Sequence, residues 1–177
     1  MKVEYPIRRL NEKDATELAK LAHDIFKITY EHRLIGSFEQ ANFQIYLKKA
    51  FTESQMVQEI NDMNVDYYGV FDQRKMIGYV KLNHGEGQSL KKGNDFLEIE
   101  RFYLDPRYQR KGIGQHLFEF VSEWAKKNNF NHIWLRSWER NESAIKFYKK
   151  MGLEIVGTTV YKFEESDDLD YVFQKSL

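Results

Sequence analysis

Two glycines stand one residue apart in the stretch Tyr108-Gln109-Arg110-Lys111-Gly112-Ile113-Gly114, directly before an amphipathic run. Glycine has no Cβ, so the backbone at 112 and 114 can approach a bulky group closely. If a helix begins here, its first N–H groups favour an anion, and Arg110 and Lys111 add positive charge. The stretch is therefore a candidate phosphate cradle. It lacks a P-loop Lys-Ser/Thr and the third Rossmann glycine, and an ordinary strand-to-helix turn is the alternative.

A second group of side chains shares one face of a predicted helix. Asn141, Ala144 and Tyr148 are spaced at i, i+3 and i+7, so all three point the same way. A tyrosine hydroxyl, with a pKa of about 10, is neutral at physiological pH and can donate a proton. Tyr148 is therefore a candidate acid. A core tyrosine at a contact between helix and sheet is the alternative.

Two carboxylates, Glu98 and Glu100, are two residues apart on a predicted strand, so their side chains emerge on the same face. Such a pair can take a proton from an alkylammonium group, directly or through water. It can also bind a polycation by charge alone. Simple solvated charges on a strand surface are the third alternative. As the base, Glu100 is preferred to Glu98.

Composition limits the classes of protein to consider. The 177 residues are 42% hydrophobic, enough for one domain over residues 1–177. With 27 basic and 27 acidic side chains, the net charge of zero gives no general attraction to nucleic acid or an anionic membrane. Cysteine is absent, and no apolar run approaches the roughly 20 residues of a spanning helix. We expect a cytoplasmic protein without nucleic-acid or membrane partners.

Metal binding and assembly are less constrained by the sequence. The five histidines show no metal-ligand spacing, so we predict no metal site. The oligomeric state stays open, with a homodimer as one alternative.

The elements that must position these side chains alternate between helix and strand periodicity. Asn11 and the capping box at Ser37 begin helices, residues 72–75 read as a hairpin turn, and Gly152 stands where a left-handed helix cap belongs. The predicted helices span about 11–30, 37–50, 52 or 54 to 60, 112–127 and 141–151, and the strands 3–9, 66–71, 76–83, 96–104, 132–137, 154–163 and 168–176. The last two strands should pair antiparallel. We therefore predict an α/β (α+β) fold with a mixed, mostly antiparallel sheet flanked by helices in a single domain.

Two motifs carry a family resemblance. Residues 97–114 resemble the central motif of the GNAT superfamily of N-acetyltransferases, whose pyrophosphate loop Arg/Gln-x-x-Gly-x-Gly/Ala is filled here by Gln109, Gly112 and Gly114. Residues 141–153 are similar to the family's Asn-x-x-Ala-x-x-Phe-Tyr-x-x-x-Gly-Phe, with Leu153 in place of the last Phe. The order of elements also fits, so the resemblance covers nearly the whole chain.

One subgroup is more similar still. Residues 133–142, together with 97–103 and 25–30, resemble bacterial polyamine acetyltransferases of the PaiA type. This narrower resemblance implies a polyamine acceptor such as spermidine or spermine.

The resemblance implies that acetyl-CoA is the co-substrate, held in a gap between the strand ending at Leu104 and the strand 132–137. Asn141 would bond the CoA arm from the face it shares with Ala144, Tyr148 would protonate the departing thiolate, and Lys150 would reach a CoA phosphate or stay solvated. Backbone groups of the strand end would meet the acetyl and pantetheine arm, and loop N–H groups the pyrophosphate. These strand residues are Phe102, Tyr103 and Leu104, and the loop residues are Gln109, Arg110, Lys111, Gly112, Ile113 and Gly114.

The acceptor is less closely defined. Different family members carry a glutamate acting on the amine at the positions of Glu98 and Glu100, and Tyr30 would line the acceptor pocket unless it is only a helix-end core aromatic. Acidic residues that could attract a polyamine are Glu31, Glu139, Glu142, Glu164, Glu165, Asp167 and Asp168. Other acceptors stay open: an amino acid, a peptide N-terminus or an antibiotic amine. A non-catalytic module that senses acyl-CoA is the alternative from another class.

Overall fold

The computed structural model describes residues 5–34, 37–163 and 166–177. Its helices and strands follow the predicted order. The helices are α1 (Ala15–Tyr30), α2 (Ser37–Ala50), α3 (Glu53–Ile60), α4 (Ile113–Lys127) and α5 (Glu142–Lys150). The strands are β1 (Ile7–Arg9), β2 (Val65–Asp72), β3 (Lys75–Asn83), β4 (Phe96–Leu104), β5 (His132–Trp138), β6 (Glu154–Phe163) and β7 (Ser166–Ser176).

The ends of several helices differ in detail from the prediction. Asn11 caps a short 3₁₀ turn, which the chain completes before α1 begins, and it forms a capping box with Asp14. Thr52 rather than Ser54 caps α3, where its hydroxyl accepts a hydrogen bond from the N–H of Gln55. Gly152 has a φ of 83° and supplies the predicted left-handed cap after α5. The side chain in the predicted Ser37 capping box lies outside the described residues, as do residues 3 and 4 of the predicted first strand.

The strands form one sheet in the order β1-β2-β3-β4-β5-β7-β6. Neighbouring strands are antiparallel except β4 and β5, which are parallel. The expected antiparallel pairing of the last two strands is confirmed. The parallel pair is short, because only residues 96–98 of β4 are paired with β5. Beyond Glu98 the two strands separate.

A β-bulge interrupts β4 just after this point. In the pairing with β3, Lys81 lies opposite Arg101 and Leu82 opposite Ile99, which leaves Glu100 as the extra residue. A bulge bends its strand and increases its twist. It also shifts the alternation of side chains by one, so Ile99 and Phe102 belong to the same side of the sheet although they are three residues apart.

The sheet separates two hydrophobic cores. The larger core packs α4 and α5 against one face of the sheet and includes Leu97, Ile99 and Phe118. The smaller core lies under α1, α2 and α3 and includes Leu18 and Phe43. Burial of these apolar side chains is the main source of stability. The central strands are thus covered by helices on both faces. The gap between β4 and β5 lies between these two layers of helices.

Candidate active site

A cavity of about 640 Å³ lies where β4 and β5 separate. Its walls come from both faces of the sheet. Tyr30 of α1 and Asp170 of β7 line it on the face that carries α1 and α2, whereas Ala144 and Tyr148 of α5 line it on the face that carries α4 and α5. Two reactants could therefore enter from opposite faces and meet in the gap.

The start of α4 offers free hydrogen-bond donors to the cavity. Gly112 has a φ of 81° and provides no side-chain cap, and a Cβ added there would meet no atom within 4 Å. In the described part of the chain, no group accepts a hydrogen bond from the N–H of residues 110–115. Unpaired N–H groups at a helix start favour an anion. This geometry supports the cradle that the glycine spacing predicts.

The loop residues before α4 differ in how they face this site. The side-chain amide of Gln109 donates to the carbonyl of Leu104 at 3.2 Å, so it stabilises the turn itself. Arg110 is exposed and lines the cavity, whereas the ammonium of Lys111 lies 5.1 Å from the ring centre of Tyr108. The side chain of Ile113 is buried in the larger core. Ile113 therefore has only backbone groups to offer at the cradle, whereas the exposed Lys111 side chain lies against Tyr108.

The start of α5 forms the opposite wall. Asn141 is buried and caps α5, since its Oδ1 accepts hydrogen bonds from the N–H of Ala144 at 3.4 Å and the hydroxyl of Ser143 at 3.1 Å. Asn141, Ala144 and Tyr148 all line the cavity, as their helical spacing predicts. Lys150 is exposed and also belongs to the lining.

The side chain of Tyr148 is largely buried at the wall of the cavity. The side chain is 8% exposed and packs between the rings of Phe102, Phe147 and Phe173. Burial, with a smaller contribution from Tyr30, raises the pKa of Tyr148 well above its ordinary value. The hydroxyl is therefore neutral at physiological pH and can act only as a proton donor or a neutral hydrogen-bond partner.

Tyr30 belongs to both the core and the cavity. Its ring packs 4.4 Å from the ring centre of Phe26, while its hydroxyl lies 3.1 Å from that of Tyr103. Burial raises the pKa of Tyr30, although hydrogen bonding to Tyr103 and Asn141 opposes the increase. Tyr30 is thus a core aromatic at a helix end and also lines the cavity, so these two alternatives from the sequence do not exclude each other.

The two predicted carboxylates have different surroundings. Glu98 is 1% exposed, and its oxygens accept hydrogen bonds from the N–H of Ser89 at 2.7 Å, from the Ser89 hydroxyl and from the Asn83 amide at 3.3 Å. Burial raises the pKa of Glu98 despite these bonds. Both of its oxygens are therefore already in use.

Glu100 has one oxygen with fewer contacts. Its Oε2 accepts from the Lys81 ammonium at 2.7 Å and from the amide of Asn83, while Oε1 lies 3.9 Å from the Nε of Arg101. Burial acts to raise the pKa of Glu100, but the charges of Arg101 and Lys81 hold it below its ordinary value. Glu100 is thus an ionised carboxylate with Oε1 available.

A buried ion network positions Glu100 from behind. Glu59 of α3 contacts the Lys81 ammonium at 2.9 Å and the Arg101 guanidinium at 3.1 Å, and the hydroxyl of Tyr67 donates to it. Burial opposes ionisation of Glu59, yet the two cations lower its pKa to about 2. Because of the bulge, Glu100 and Arg101 both join this network, although adjacent residues of a regular strand face opposite sides.

Sequence reasoning missed several polar residues of the cavity. Arg136 and Trp138 of β5 and Asp170 of β7 line it. Asp168, which the sequence placed only in an acidic cluster, lines it as well. The alternation Asp168, Asp170, Val172 in a predicted strand was the available signal, since it places two acids on one face.

Arg140 joins the segments around these residues. Its guanidinium contacts Glu39 of α2 at 3.0 Å and Asp168 of β7 at 3.4 Å, and it stacks 4.1 Å from the ring centre of Trp138. It also donates to the carbonyl of Arg33 at 3.4 Å. Arg140 therefore connects α2 and the segment after α1 to the wall formed by β5 and β7.

Most of the other acidic residues proposed to attract a polyamine lie away from the cavity. Glu31, Glu139, Glu142 and Asp167 are exposed, and Glu142 lies 3.9 Å from Lys146. Glu164 and Glu165 fall outside the described residues. The acidic lining of the cavity is Glu98, Glu100, Asp168 and Asp170.

Residues 23–153 match the acetyltransferase (GNAT) family. This chain belongs to the GNAT family of acetyltransferases. A spermidine N(1)-acetyltransferase of Thermoplasma acidophilum is 23% identical over 173 residues, covering 96% of this GNAT chain and 95% of that protein. Streptothricin acetyltransferase A of Bacillus subtilis is 30% identical over 120 residues, covering 67% of this chain and 69% of that protein. The crystal structure of the PaiA N-acetyltransferase of T. acidophilum in complex with coenzyme A aligns with a TM-score of 0.74 at 21% identity, covering 98% of this chain and 99% of that one.

The predicted family and fold of this GNAT acetyltransferase are confirmed. Along the described ranges, no helix is both long and apolar enough to cross a membrane. Within the same ranges, no three His, Asp or Glu side chains are grouped so that they could hold a metal ion.

The ion network predicts a pH-dependent contribution to stability. Replacing Glu59 by Gln leaves two buried cations without this partner, so the free energy of unfolding at pH 7 should fall by about 3 kcal/mol. Because the folded pKa of about 2 lies below the ordinary 4.5, the wild type loses this stabilisation as the pH falls from about 4.5 towards 2. The difference between wild type and variant should therefore shrink over that interval, as measured by urea unfolding.

The matched control is Glu53→Gln, at an exposed position in the same helix. It should change the free energy of unfolding by well under about 1 kcal/mol at every pH. A constant difference between Glu59→Gln and wild type from pH 7 to 3 would contradict the assigned role of the Glu59 carboxylate.

Proposed function

We propose that this GNAT acetyltransferase transfers an acetyl group from acetyl-CoA to a primary amine of a polyamine, such as spermidine or spermine. One observation carries the proposal: the cavity is lined from both faces of the sheet, with unpaired backbone N–H groups at one end and four carboxylates in its lining. A phosphate-bearing donor fits the first end and a cationic acceptor fits the carboxylates.

The residues present fit acetyl-CoA, which supplies an acyl group activated as a thioester. The unpaired N–H groups of residues 110–115 would hold its pyrophosphate, with Gly112 leaving the approach open. Residues 99–104 of β4 have no pairing with β5 in the described sheet, so backbone groups of Phe102, Tyr103 and Leu104 can meet the extended arm. Asn141, Ala144 and Lys150 would contact it from α5, and the resemblance carried by the two motifs supports these roles.

Two side chains would move protons. Tyr148 would donate its hydroxyl proton to the departing sulfur, since its raised pKa keeps the hydroxyl protonated at physiological pH. Glu100 would accept a proton from the acceptor ammonium at Oε1, directly or through water. Glu98 is the less suitable base because Ser89 and Asn83 occupy its oxygens. Its carboxylate would instead add to the negative charge that attracts the amine.

The polyamine acceptor rests on charge and on similarity. Glu98, Glu100, Asp168 and Asp170 line one cavity, and Tyr30 lies beside them. Basic side chains also line the cavity, among them Arg101 and Arg136, so the attraction for a cationic acceptor is local to the carboxylates. The relative named for spermidine aligns over nearly the whole chain, whereas the relative named for streptothricin aligns over about two thirds.

The test is the release of free thiol from acetyl-CoA by the purified protein. The acceptor panel contains spermidine, spermine, a monoamine, amino acids, peptides and streptothricin. We expect kcat/KM to be highest for the polyamines. If only streptothricin, an amino acid or a peptide is acetylated, that compound is the acceptor and the polyamine is not. Binding of acetyl-CoA without turnover of any amine would favour a cofactor-sensing module.

The cradle predicts that Gly112→Ala weakens CoA binding. A Cβ at this position points into open space, where the phosphates would lie, and the φ of 81° adds strain. We expect the Kd for CoA to rise at least tenfold in calorimetry, with the circular dichroism of the fold unchanged.

The control is Gly152→Ala, which introduces a Cβ at a similar φ of 83° after α5. Both variants should lose a similar amount of stability, about 1–2 kcal/mol, but only Gly112→Ala should lose CoA affinity. Unchanged CoA affinity in Gly112→Ala would overturn the cradle.

The assignment of the acid predicts that Tyr148→Phe lowers kcat by about a hundredfold or more, while the Kd for acetyl-CoA changes less than twofold. The physical reason is that the substitution removes only the proton donor from a ring that stays packed among Phe102 and Phe173. Tyr68→Phe, a half-buried ring outside the cavity, serves as the control and should leave both constants unchanged. Parallel losses of kcat and acetyl-CoA affinity would mean that Tyr148 is structural.

A further inference from the structure

We propose that Asp170 binds a second, non-reacting ammonium group of the acceptor and thereby selects polyamines over monoamines. The inference rests on the proposed function and deepens it, because it assigns recognition of the acceptor's second charge to one carboxylate. Asp170 lies on β7 opposite Trp138 of β5, and its side chain belongs to the cavity lining.

Asp170 differs from the other acids of the cavity because its pKa is lowered only by the charge of Arg136 and by no hydrogen bond. Glu98 accepts bonds from Ser89 and Asn83, Glu100 contacts Lys81, and Asp168 contacts Arg140. Asp170 is only 9% exposed, so its carboxylate is largely removed from water. Burial of a carboxylate is costly to the fold, and the charge of Arg136 offsets only part of that cost at Asp170. A cationic ligand in the cavity would remove that cost.

The charges around Asp170 leave it ionised at neutral pH. Burial raises its pKa to about 6, Arg136 of β5 acts to lower it and Asp168 of β7 to raise it. Across the cavity, Tyr30 of α1 faces it with a neutral hydroxyl, and Arg140 faces Asp168 rather than Asp170. At physiological pH the group is therefore mostly an anion, ready to hold an ammonium.

The position of Asp170 matches an elongated acceptor. Glu98 lies opposite Trp134 where β4 and β5 separate, whereas Asp170 lies opposite Trp138, four residues further along β5. Four residues of strand correspond to about 13 Å. An acceptor with amines spaced along a flexible chain can place one amine at the glutamates of β4 and another at Asp170. A monoamine can occupy only one of these positions.

The test compares spermidine with butylamine as acceptors for wild type, Asp170→Asn and the control Asp24→Asn, an exposed position on α1. Asp170→Asn keeps the shape of the side chain and removes its charge. We expect the KM for spermidine to rise at least tenfold, with kcat little changed, and both constants for butylamine to stay within twofold. Asp24→Asn should match the wild type with both acceptors.

The pH dependence gives an independent reading of the same residue. In the wild type, the KM for spermidine should rise as the pH falls through about 6, because Asp170 takes up a proton there. The KM for butylamine should not show this rise, and Asp170→Asn should lack it with spermidine. An unchanged spermidine KM in Asp170→Asn would overturn the inference. A loss of kcat shared by both acceptors would overturn it too, because Asp170 would then act on the reacting amine.

A binding experiment separates this inference from the proposed function. Spermidine is titrated calorimetrically into the CoA-loaded wild type and into CoA-loaded Asp170→Asn. Absence of thiol release with every amine would defeat the proposed function, whereas a tenfold weaker Kd for spermidine in the variant would still support the site at Asp170. Equal affinities, or no binding to the wild type, would overturn the site whatever the activity.

Discussion

The separation of β4 from β5 is the constraint on which the site depends. Only three residues of β4 pair with β5, and beyond Glu98 the strand has no partner on that side within the described sheet. Backbone groups inside a protein must find partners, so a gap in the middle of a sheet is tolerated where water or a ligand can satisfy them. The same gap lets the cavity reach both faces and brings α1 and α5 to opposite sides of one space.

The bulge at Glu100 links this opening to the stability of the fold. By adding one residue, it places Glu100 and Arg101 together beside Lys81 and Glu59, where a regular strand would have sent one of them into the opposite core. The attachment of α3 to the sheet and the ionised state of Glu100 thus depend on the same four charges. A change that stabilises the helix contact at Glu59 also alters the affinity of Glu100 for protons, because Lys81 contacts both carboxylates.

Local features of the structure could be predicted from the sequence, and features that depend on distant pairing could not. The helix start at Gly112, the shared face of Asn141 and Tyr148 and the cap at Gly152 each follow from spacing within a few residues. The bulge depends on the register of β4 with β3. The hydrogen bonds that occupy the oxygens of Glu98 depend on Ser89, which lies in a loop nine residues away. Asp170 lies near Tyr30 only because β7 inserts between β5 and β6, and single-sequence periodicity does not reveal strand order.

The arrangement of charges also bears on how a product would leave under the proposed function. An acceptor nitrogen is cationic before reaction and neutral as an amide, so its attraction to the ionised Glu100 disappears when the acetyl group is attached. The contact at Asp170 involves a different nitrogen and keeps its charge. Release would then begin at the reacting end, near Glu100, while Asp170 still holds the distant end. Because burial already raises the pKa of Asp170 to about 6, its contact with that nitrogen weakens as the pH falls towards that value, which makes acceptor affinity more sensitive to mild acid than the ionisation of Glu100.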